Sequence, residues 1–514
     1  MRSSRRAFLK AIGASGSLAA LPSTSLSALG HFTEDSLQSR LAADPLRPQF
    51  HLLPAKNWMN DPNGPIFWNG LYHMFFQYNP GAAVWGDMHW AHSVSEDMIH
   101  WRHLPVALAP TPGWDDADGC FTGSAVNDNG TATILYTGVK SVPPERATLR
   151  DGNHNFREVQ CLATSTDPQL RTWNKWKEPV IQPPSDPQLS GFRDPFLWRD
   201  GATWYVGVAS GLFKQGGRVL LYRSKDLRNW EYLHPLASGQ WTGKEGTNPV
   251  DTGEMWECPD FFPLGNKHVV LYSTAGQVIW ETGELDPKEL VFHPQKRGVL
   301  DHGAYYAQKT QLDAKGNRIL WGWIPEKRPD SELIAAGWAG CMALPRVLSL
   351  ADDGTLEMKF VRQIESLHRP PRHLKSGLLV YPDGGVSVDQ FKLEDLTFDL
   401  EWTSPKVPWS FTLNDSLGPW LSVGFSAENS GARLTVNETP FAIPNASEKW
   451  NHFRMIVDGS VVETICNRQE ALTVRVYRKP SGPLALKAQV SKDSGFIWGE
   501  AWQMKPISKD RLTS

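Results

Sequence analysis

A Ser-x-Asp triplet followed closely by a tryptophan recurs three times along this chain. Ser95-Glu96-Asp97 precedes Trp101 and Ser224-Lys225-Asp226 precedes Trp230 at the same spacing, while Ser165-Thr166-Asp167 leads to Trp173 with two extra residues. Each copy lies between two short runs of β-forming residues. The aspartates, at positions 97, 167 and 226, stand 70 and then 59 residues apart. One turn signature recurring at such a period marks repeated units that bury their apolar faces against each other. Four-stranded propeller blades take roughly 40 to 50 residues. The period here fits blades with long loops, and 46–350 has room for about five.

The rest of the pattern agrees with an all-β chain. Strand-like runs at 71–78, 133–139, 203–209, 219–223, 269–273 and 319–324 are separated by Gly, Pro, Asn and Asp clusters, with no long helical periodicity. Beyond 350 the repeat stops. A short helical stretch at 360–368 runs into Arg369-Pro370-Pro371-Arg372, so 351–372 reads as a linker. Strand candidates at 396–402, 411–413, 432–436, 452–457, 461–465 and 472–477 then predict a β-sandwich over 373–514. The expectation is a five-bladed β-propeller over 46–350 followed by that sandwich.

Residues 1–30 read as an address. Ser4-Arg5-Arg6-Ala7-Phe8-Leu9-Lys10 sets paired arginines before a short apolar run at 11–21, and no charge follows up to Gly30. That is the twin-arginine export pattern. It predicts a periplasmic or secreted protein, cleaved near 28–30, with no membrane-spanning segment. The net charge of −3 gives no basis for a nucleic-acid partner. Five scattered cysteines without a CxxC pair read as buried thiols. The chain carries 23 tryptophans, whose indole faces suit sugar rings, although most are expected to fill β-rich cores.

Three short motifs place carboxylates where chemistry could use them. In Trp58-Met59-Asn60-Asp61-Pro62-Asn63-Gly64, Pro62 pushes Asp61 toward an extended backbone and Gly64 permits a sharp turn. Phe192-Arg193-Asp194-Pro195 pairs a carboxylate with a guanidinium that would keep it ionised. Trp256-Glu257-Cys258-Pro259-Asp260 sets Glu257 between an indole and a thiol, an apolar frame in which burial would raise its pKa as a general acid requires. Alone, each motif is equally well explained as turn chemistry, a surface ion pair or a capped strand end. Alternating His and Trp at His89, His92, His100 and His103 could suggest zinc, but blade packing explains them better.

Taken in order, the three motifs resemble the carboxylate blocks of glycoside hydrolase family 32, the β-fructosidases that include invertases, inulinases and levanases. The resemblance continues through Tyr72 to Pro80, Ala83-Val84-Trp85-Gly86, His89-Trp90-Ala91-His92, Phe121-Thr122-Gly123-Ser124, Asp301-His302-Gly303 with Tyr306-Ala307, Gly337-Trp338, Leu344-Pro345-Arg346, and Val457-Asp458-Gly459-Ser460-Val461-Val462-Glu463. Its first blade is similar to the plant-type branch. The resemblance implies a five-bladed propeller with a C-terminal sandwich, retaining hydrolysis of fructosides such as sucrose or inulin- and levan-type fructans, and neither cofactor nor metal. It implies Asp61 as nucleophile, Glu257 as acid/base and Asp194 as transition-state stabiliser. Asn60, Gln77, Trp85, Phe121, Thr122, Arg193, Cys258 and Asp301 are implied to line the substrate site.

The chain departs from the family pattern at Thr122, where serine is common, and at Ala91, where glycine is usual. At Ala304 plant invertases carry a basic residue three positions after the aspartate. That last change is expected to leave Asp301 without its partner and to favour fructans over sucrose. Fructosyl transfer by the same residues, an inverting five-bladed glycosidase and a catalytically weak sugar-binding protein are the competing readings.

Overall fold

The computed structural model describes residues 34–369, 392–393, 395–490 (430, 445 and 448 excepted) and 498–513. The export segment expected over 1–30 and the Pro370-Pro371 link lie outside the described residues. Each repeat signature closes the connection between the third and fourth strands of a blade. Ser95 Oγ accepts from the N–H of Asp97 and Met98, Asp97 Oδ1 accepts from Ile99 and His100 N–H, and Trp101 Nε1 donates to the Met98 carbonyl. Ser224, Asp226 and Trp230 repeat these bonds, and Ser165, Asp167 and Trp173 repeat their core. The accepting carbonyls belong to Met98, Leu227 and Leu170, all at positive φ (71°, 61° and 55°). A fourth copy lacks both marker residues: Asp286 Oδ1 accepts from Lys288 and Glu289 N–H, Leu290 has φ 56°, and Phe292 takes the tryptophan's place.

Five antiparallel sheets follow in chain order. Their innermost strands are Asn57–Trp68, Gly119–Asp128, Leu189–Asp200, Glu257–Leu264 and Tyr306–Leu312. Each touches the next, and the last touches the first, so the sheets close into a ring. Two late two-residue strands complete it. Trp338–Ala339 pairs in parallel with Asn57 and Trp58 of the first blade, and Cys341–Met342 pairs with Trp323 and Ile324 of the fifth. Between them Gly340, at φ 79°, packs so tightly that a Cβ would meet the Met59 carbonyl oxygen at 2.1 Å. The fifth blade ends with Leu356–Phe360 as its outer strand, so the propeller runs past the boundary expected at Leu350. Much of the segment expected as a linker is thus blade, continued by a 3₁₀ turn at Arg362–Leu367.

The C-terminal part is a sandwich of a six-stranded and a five-stranded sheet, packed around Trp402, Trp409, Phe411, Phe425 and Phe453. It shares an apolar core with the propeller, in which Ile456, Val461, Ile465 and Ala471 join Tyr305, Trp321 and Trp338. A buried charge network crosses the same boundary. Asp458 accepts from the N–H of Gln49, Phe50 and His51 and, with Glu463, holds both ring nitrogens of His51 (2.8 and 3.0 Å). Glu463 also meets Arg346 at 2.7 Å. Burial works against a charge on His51, but Asp458 and Glu463 outweigh it and raise its pKa to about 9.

The histidines of the first blade are separated by the sheet. His92 is buried and His103 half-buried, whereas His89 bonds the Asp87 carbonyl and His100 bonds Asp97 at the surface. All five cysteines are free and buried.

Candidate active site

The same irregularity recurs on all five innermost strands. Strand pairing slips by one residue between Met59 and Pro62, Phe121 and Gly123, Arg193 and Phe196, Glu257 and Asp260, and Tyr306 and Lys309. A bulge of this kind bends the strand, leaves the extra residue unpaired and re-aims its side chain. Asp194, Cys258 and Ala307 at these bulges have φ of 61°, 49° and 54°. The dipeptides Asn60-Asp61, Phe121-Thr122, Arg193-Asp194, Glu257-Cys258 and Tyr306-Ala307 therefore all sit at these bulges around the ring, the first of them one residue further along its strand than the rest. Proline follows three of them, at positions 62, 195 and 259, where no ladder N–H is required.

Four of the five second members bond to one another, while Ala307 donates its N–H to Ser273 Oγ. Asp61 Oδ2 accepts from Thr122 Oγ1 at 2.8 Å, and Thr122 in turn accepts from Gln77 Nε2 at 2.8 Å. Asp61 Oδ1 accepts from Asn60 Nδ2 at 3.0 Å, with the Asn60 amide oxygen held by Trp58 Nε1 at 2.8 Å. The Cys258 thiol lies 3.4 Å from Asp61 Oδ2 and 3.5 Å from Asp194 Oδ2, and the Cys258 N–H donates to Asp194 at 2.9 Å. Burial and the two carboxyls push this thiol well up, so it remains a donor. Thr122 thus carries the hydroxyl bond expected of serine.

Three of the first members, Arg193, Glu257 and Tyr306, form a second set. Arg193 Nε and Nη2 both donate to Glu257 Oε1 (3.2 and 2.9 Å), and the Tyr306 hydroxyl donates to Glu257 Oε2 at 2.7 Å. The frame around Glu257 is polar on both oxygens, contrary to the apolar setting expected from its neighbours in sequence. Arg193 also turns away from the role expected of it. Its guanidinium is spent on Glu257 and on Glu158, which Nη1 meets at 2.7 Å. Burial, reinforced by Glu257 and Asp61, raises the Asp194 pKa to about 6 in spite of Arg193. Burial opposes the charge of Arg193 itself, but Glu158, Glu257 and Asp194 prevail and hold it well above its ordinary range.

An aromatic wall completes the opening. Half-buried Trp85 meets Phe121 edge-on at 6.1 Å and His154 at 5.2 Å, and Trp58 packs against Trp323 at 5.9 Å. Most other tryptophans serve packing: Trp90, Trp321 and Trp338 are fully buried.

Ten of the eleven residues expected at the site thus converge. Asp301 does not join them. Its carboxylate accepts from Gly303 N–H, Thr473 N–H, Thr473 Oγ1 and Arg346, inside the boundary with the sandwich. The basic partner thought to be missing is Arg346, supplied from a distant strand. Ala304 is itself buried. The expected preference for fructans rested on an unpartnered Asp301, and that ground is gone.

Three contributors escaped the sequence reading: Tyr306, Glu158 and Thr137, whose Oγ1 accepts the Asp194 N–H at 2.9 Å. Glu158 and Gln160 share one face of a strand that is otherwise buried and largely apolar, a pattern that could have flagged them.

Residues 51–359 match the family described as "Glycosyl hydrolases family 32 N-terminal domain". Sucrose-6-phosphate hydrolase of Escherichia coli is 34% identical over 462 residues, covering 84% of this chain and 90% of the relative. A cell wall β-fructofuranosidase of Pisum sativum is 32% identical, covering 78% and 73%. Among solved structures, a Bombyx mori β-fructofuranosidase aligns with TM-score 0.73 at 28% identity, over 92% of this chain and 98% of the other. Fructan 1-exohydrolase IIa of Cichorium intybus aligns with TM-score 0.74 at 26% identity, over 90% and 98%. With this match over more than half its length, and with the ring of carboxylates in place, the chain belongs to glycosyl hydrolase family 32 and is a glycoside hydrolase of the β-fructofuranosidase type.

Proposed function

We propose that this enzyme removes terminal β-D-fructofuranosyl residues from sucrose and from inulin- or levan-type fructans by double displacement. The observation that carries the reading is the meeting of Asp61, Asp194 and Glu257, from three separate blades, around one thiol and one guanidinium. Asp61 attacks the anomeric carbon, and Asn60 and Thr122 fix its two oxygens for that approach. Protonated Glu257 gives its proton to the glycosidic oxygen as the alcohol leaves. Water then attacks the fructosyl ester on Asp61 while Glu257 takes a proton from it, so configuration is retained. Asp194 stabilises the oxocarbenium-like charge and binds ring hydroxyls, and Trp85 with Phe121 stacks on the sugar. Relatives support the substrate class: a Bombyx mori enzyme variant was solved in complex with sucrose and a Cichorium intybus variant with 1-kestose.

Asp61→Ala and Glu257→Gln test the assignment. Each is expected to lower kcat by at least about 10³-fold with folding intact, and Glu257→Gln should be largely spared on a fructoside with an activated leaving group. Losses of only a few-fold in either variant would overturn these roles. Export by the twin-arginine route is part of the same proposal, supported by Arg5-Arg6 and the uncharged stretch behind them. Arg5→Lys with Arg6→Lys should leave the precursor in the cytoplasm, and normal export of that variant would exclude the route.

A further inference from the structure

The site contains a buried carboxylate that the mechanism leaves unused. Glu158, on the strand Asn155–Ser165 of the second blade, is fully buried. Its Oε1 accepts from Arg193 Nη1 at 2.7 Å, and its Oε2 accepts from Phe192 N–H at 2.7 Å and Thr148 Oγ1 at 2.9 Å. Thr148 Oγ1 also accepts the Glu158 N–H, locking the pair. With its oxygens engaged by protein donors and no exposed surface, Glu158 is built to hold something rather than to react. What it holds is the far end of the guanidinium whose near end rests on Glu257.

An amide could keep its one oxygen on Arg193 but would set its NH2 against the Phe192 N–H, so a carboxylate suits these bonds, and its negative charge has a further consequence for Arg193. A guanidinium paired with Glu257 alone would strongly favour the carboxylate form of Glu257. That is the wrong state for a group that must deliver a proton. We infer that Glu158 is a positioning residue that shares Arg193 with Glu257, offsetting its charge so that Glu257 can hold the proton it donates.

The surrounding charges agree with this division. Asp194 and Asp61 face the same space from the third and first blades, and Cys258 stands between them as a thiol. Tyr306 reaches Glu257 from the fifth blade as a hydroxyl donor. From that blade the Lys309 ammonium is turned to the Pro259 carbonyl at 3.2 Å. Arg193 bonds the acid/base through two of its nitrogens, and Glu158 is its counterweight.

The inference rests on Glu257 being the acid/base, so it is tested beside the variant that probes that role. Glu158→Gln keeps an acceptor for Arg193 and removes the charge. The alkaline limb of the kcat/KM profile on sucrose is expected to move to lower pH by about one unit or more. The loss relative to the wild type should be smallest at the acid end and grow as pH rises. On an activated fructoside, which needs no protonation, the shift should largely disappear. Glu158→Asp, which keeps the charge, should leave the limb near its wild-type position even if kcat falls. A uniform loss at all pH values with an unmoved limb would overturn the inference, as would equal effects on both substrates. If Glu158→Gln does not fold, Thr148→Val serves instead. It removes one donor from Glu158 and leaves the charge in place, so more of that charge falls on Arg193 and the limb should move to higher pH by a smaller amount; an unmoved limb, or one moved to lower pH, is equally fatal. If Glu257→Gln also fails to behave as a missing acid, the catalytic assignment falls first. If only the Glu158 series fails, the fault lies in this inference.

Discussion

Replacing Asp194 by asparagine should make the protein more stable at neutral and alkaline pH while abolishing most of its activity. Burial, together with Glu257 and Asp61, raises the Asp194 pKa from 3.8 to about 6. The folded state therefore binds this proton more tightly than the unfolded chain does. Its favourable contribution is complete below about pH 4 and is lost as pH rises through 6, beyond which the fold carries an ionised carboxyl it would rather keep neutral. A shift of about two units corresponds to about 3 kcal/mol. The buried carboxyls titrate as a set, so this figure belongs to the cluster around Asp194 as much as to Asp194 itself. Asparagine can still accept the Cys258 N–H and never ionises. The stability difference between variant and wild type, from urea unfolding at pH 4 and pH 8, should thus change by about 3 kcal/mol in favour of the variant. Other titrating groups are common to both proteins and cancel. A difference that stays flat across this range, or that moves against the variant as pH rises, would refute the reasoning.

Three further outcomes follow from charges buried elsewhere. Burial lowers the pKa of His73 and His103 to about 4 and that of His92 well below its usual value, so their stabilising contribution exists above pH 6.5 and is lost toward pH 4. His103→Asn should flatten the acid limb of the unfolding free energy from urea titrations by up to about 1.4 kcal/mol per pH unit, and an unchanged limb would count against a neutral ring in the fold. His51 behaves oppositely. With its pKa at about 9 it stabilises fully below pH 6.5 and loses that contribution as pH passes 9, so His51→Gln should cost about 3 kcal/mol more at pH 6 than at pH 10 in chemical denaturation. A fragment ending at Leu350 should fail to fold, because it lacks the outer strand Leu356–Phe360, the Glu463 partner of Arg346 and both carboxylates that hold His51. A soluble, cooperatively melting fragment would show that the sandwich is dispensable.

What the sequence determined unaided was whatever short-range chemistry writes into it. The Ser-x-Asp turn bonds its own backbone within three residues, so the repeat, and with it the blades, could be read from spacing. The fourth copy escaped because Glu284 and Phe292 replace the serine and the tryptophan there, while Asp286 keeps the turn. The dipeptides Asn60-Asp61, Arg193-Asp194 and Glu257-Cys258 were visible for a similar reason, since a bulge followed by proline has a local signature.

Partner choice was a different matter. Arg193 sits beside Asp194 in sequence yet bonds Glu158 and Glu257, 35 and 64 residues away. Asp301 seemed bereft of a cation until Arg346 reached it from 45 residues further on. Both results depend on strand register, on the bulges that re-aim side chains, and on closure of the ring against the sandwich. A slip of one residue turns every side chain of a strand to the other face. Which charges meet, and hence which carboxyl keeps a proton, was therefore decided only by the tertiary structure.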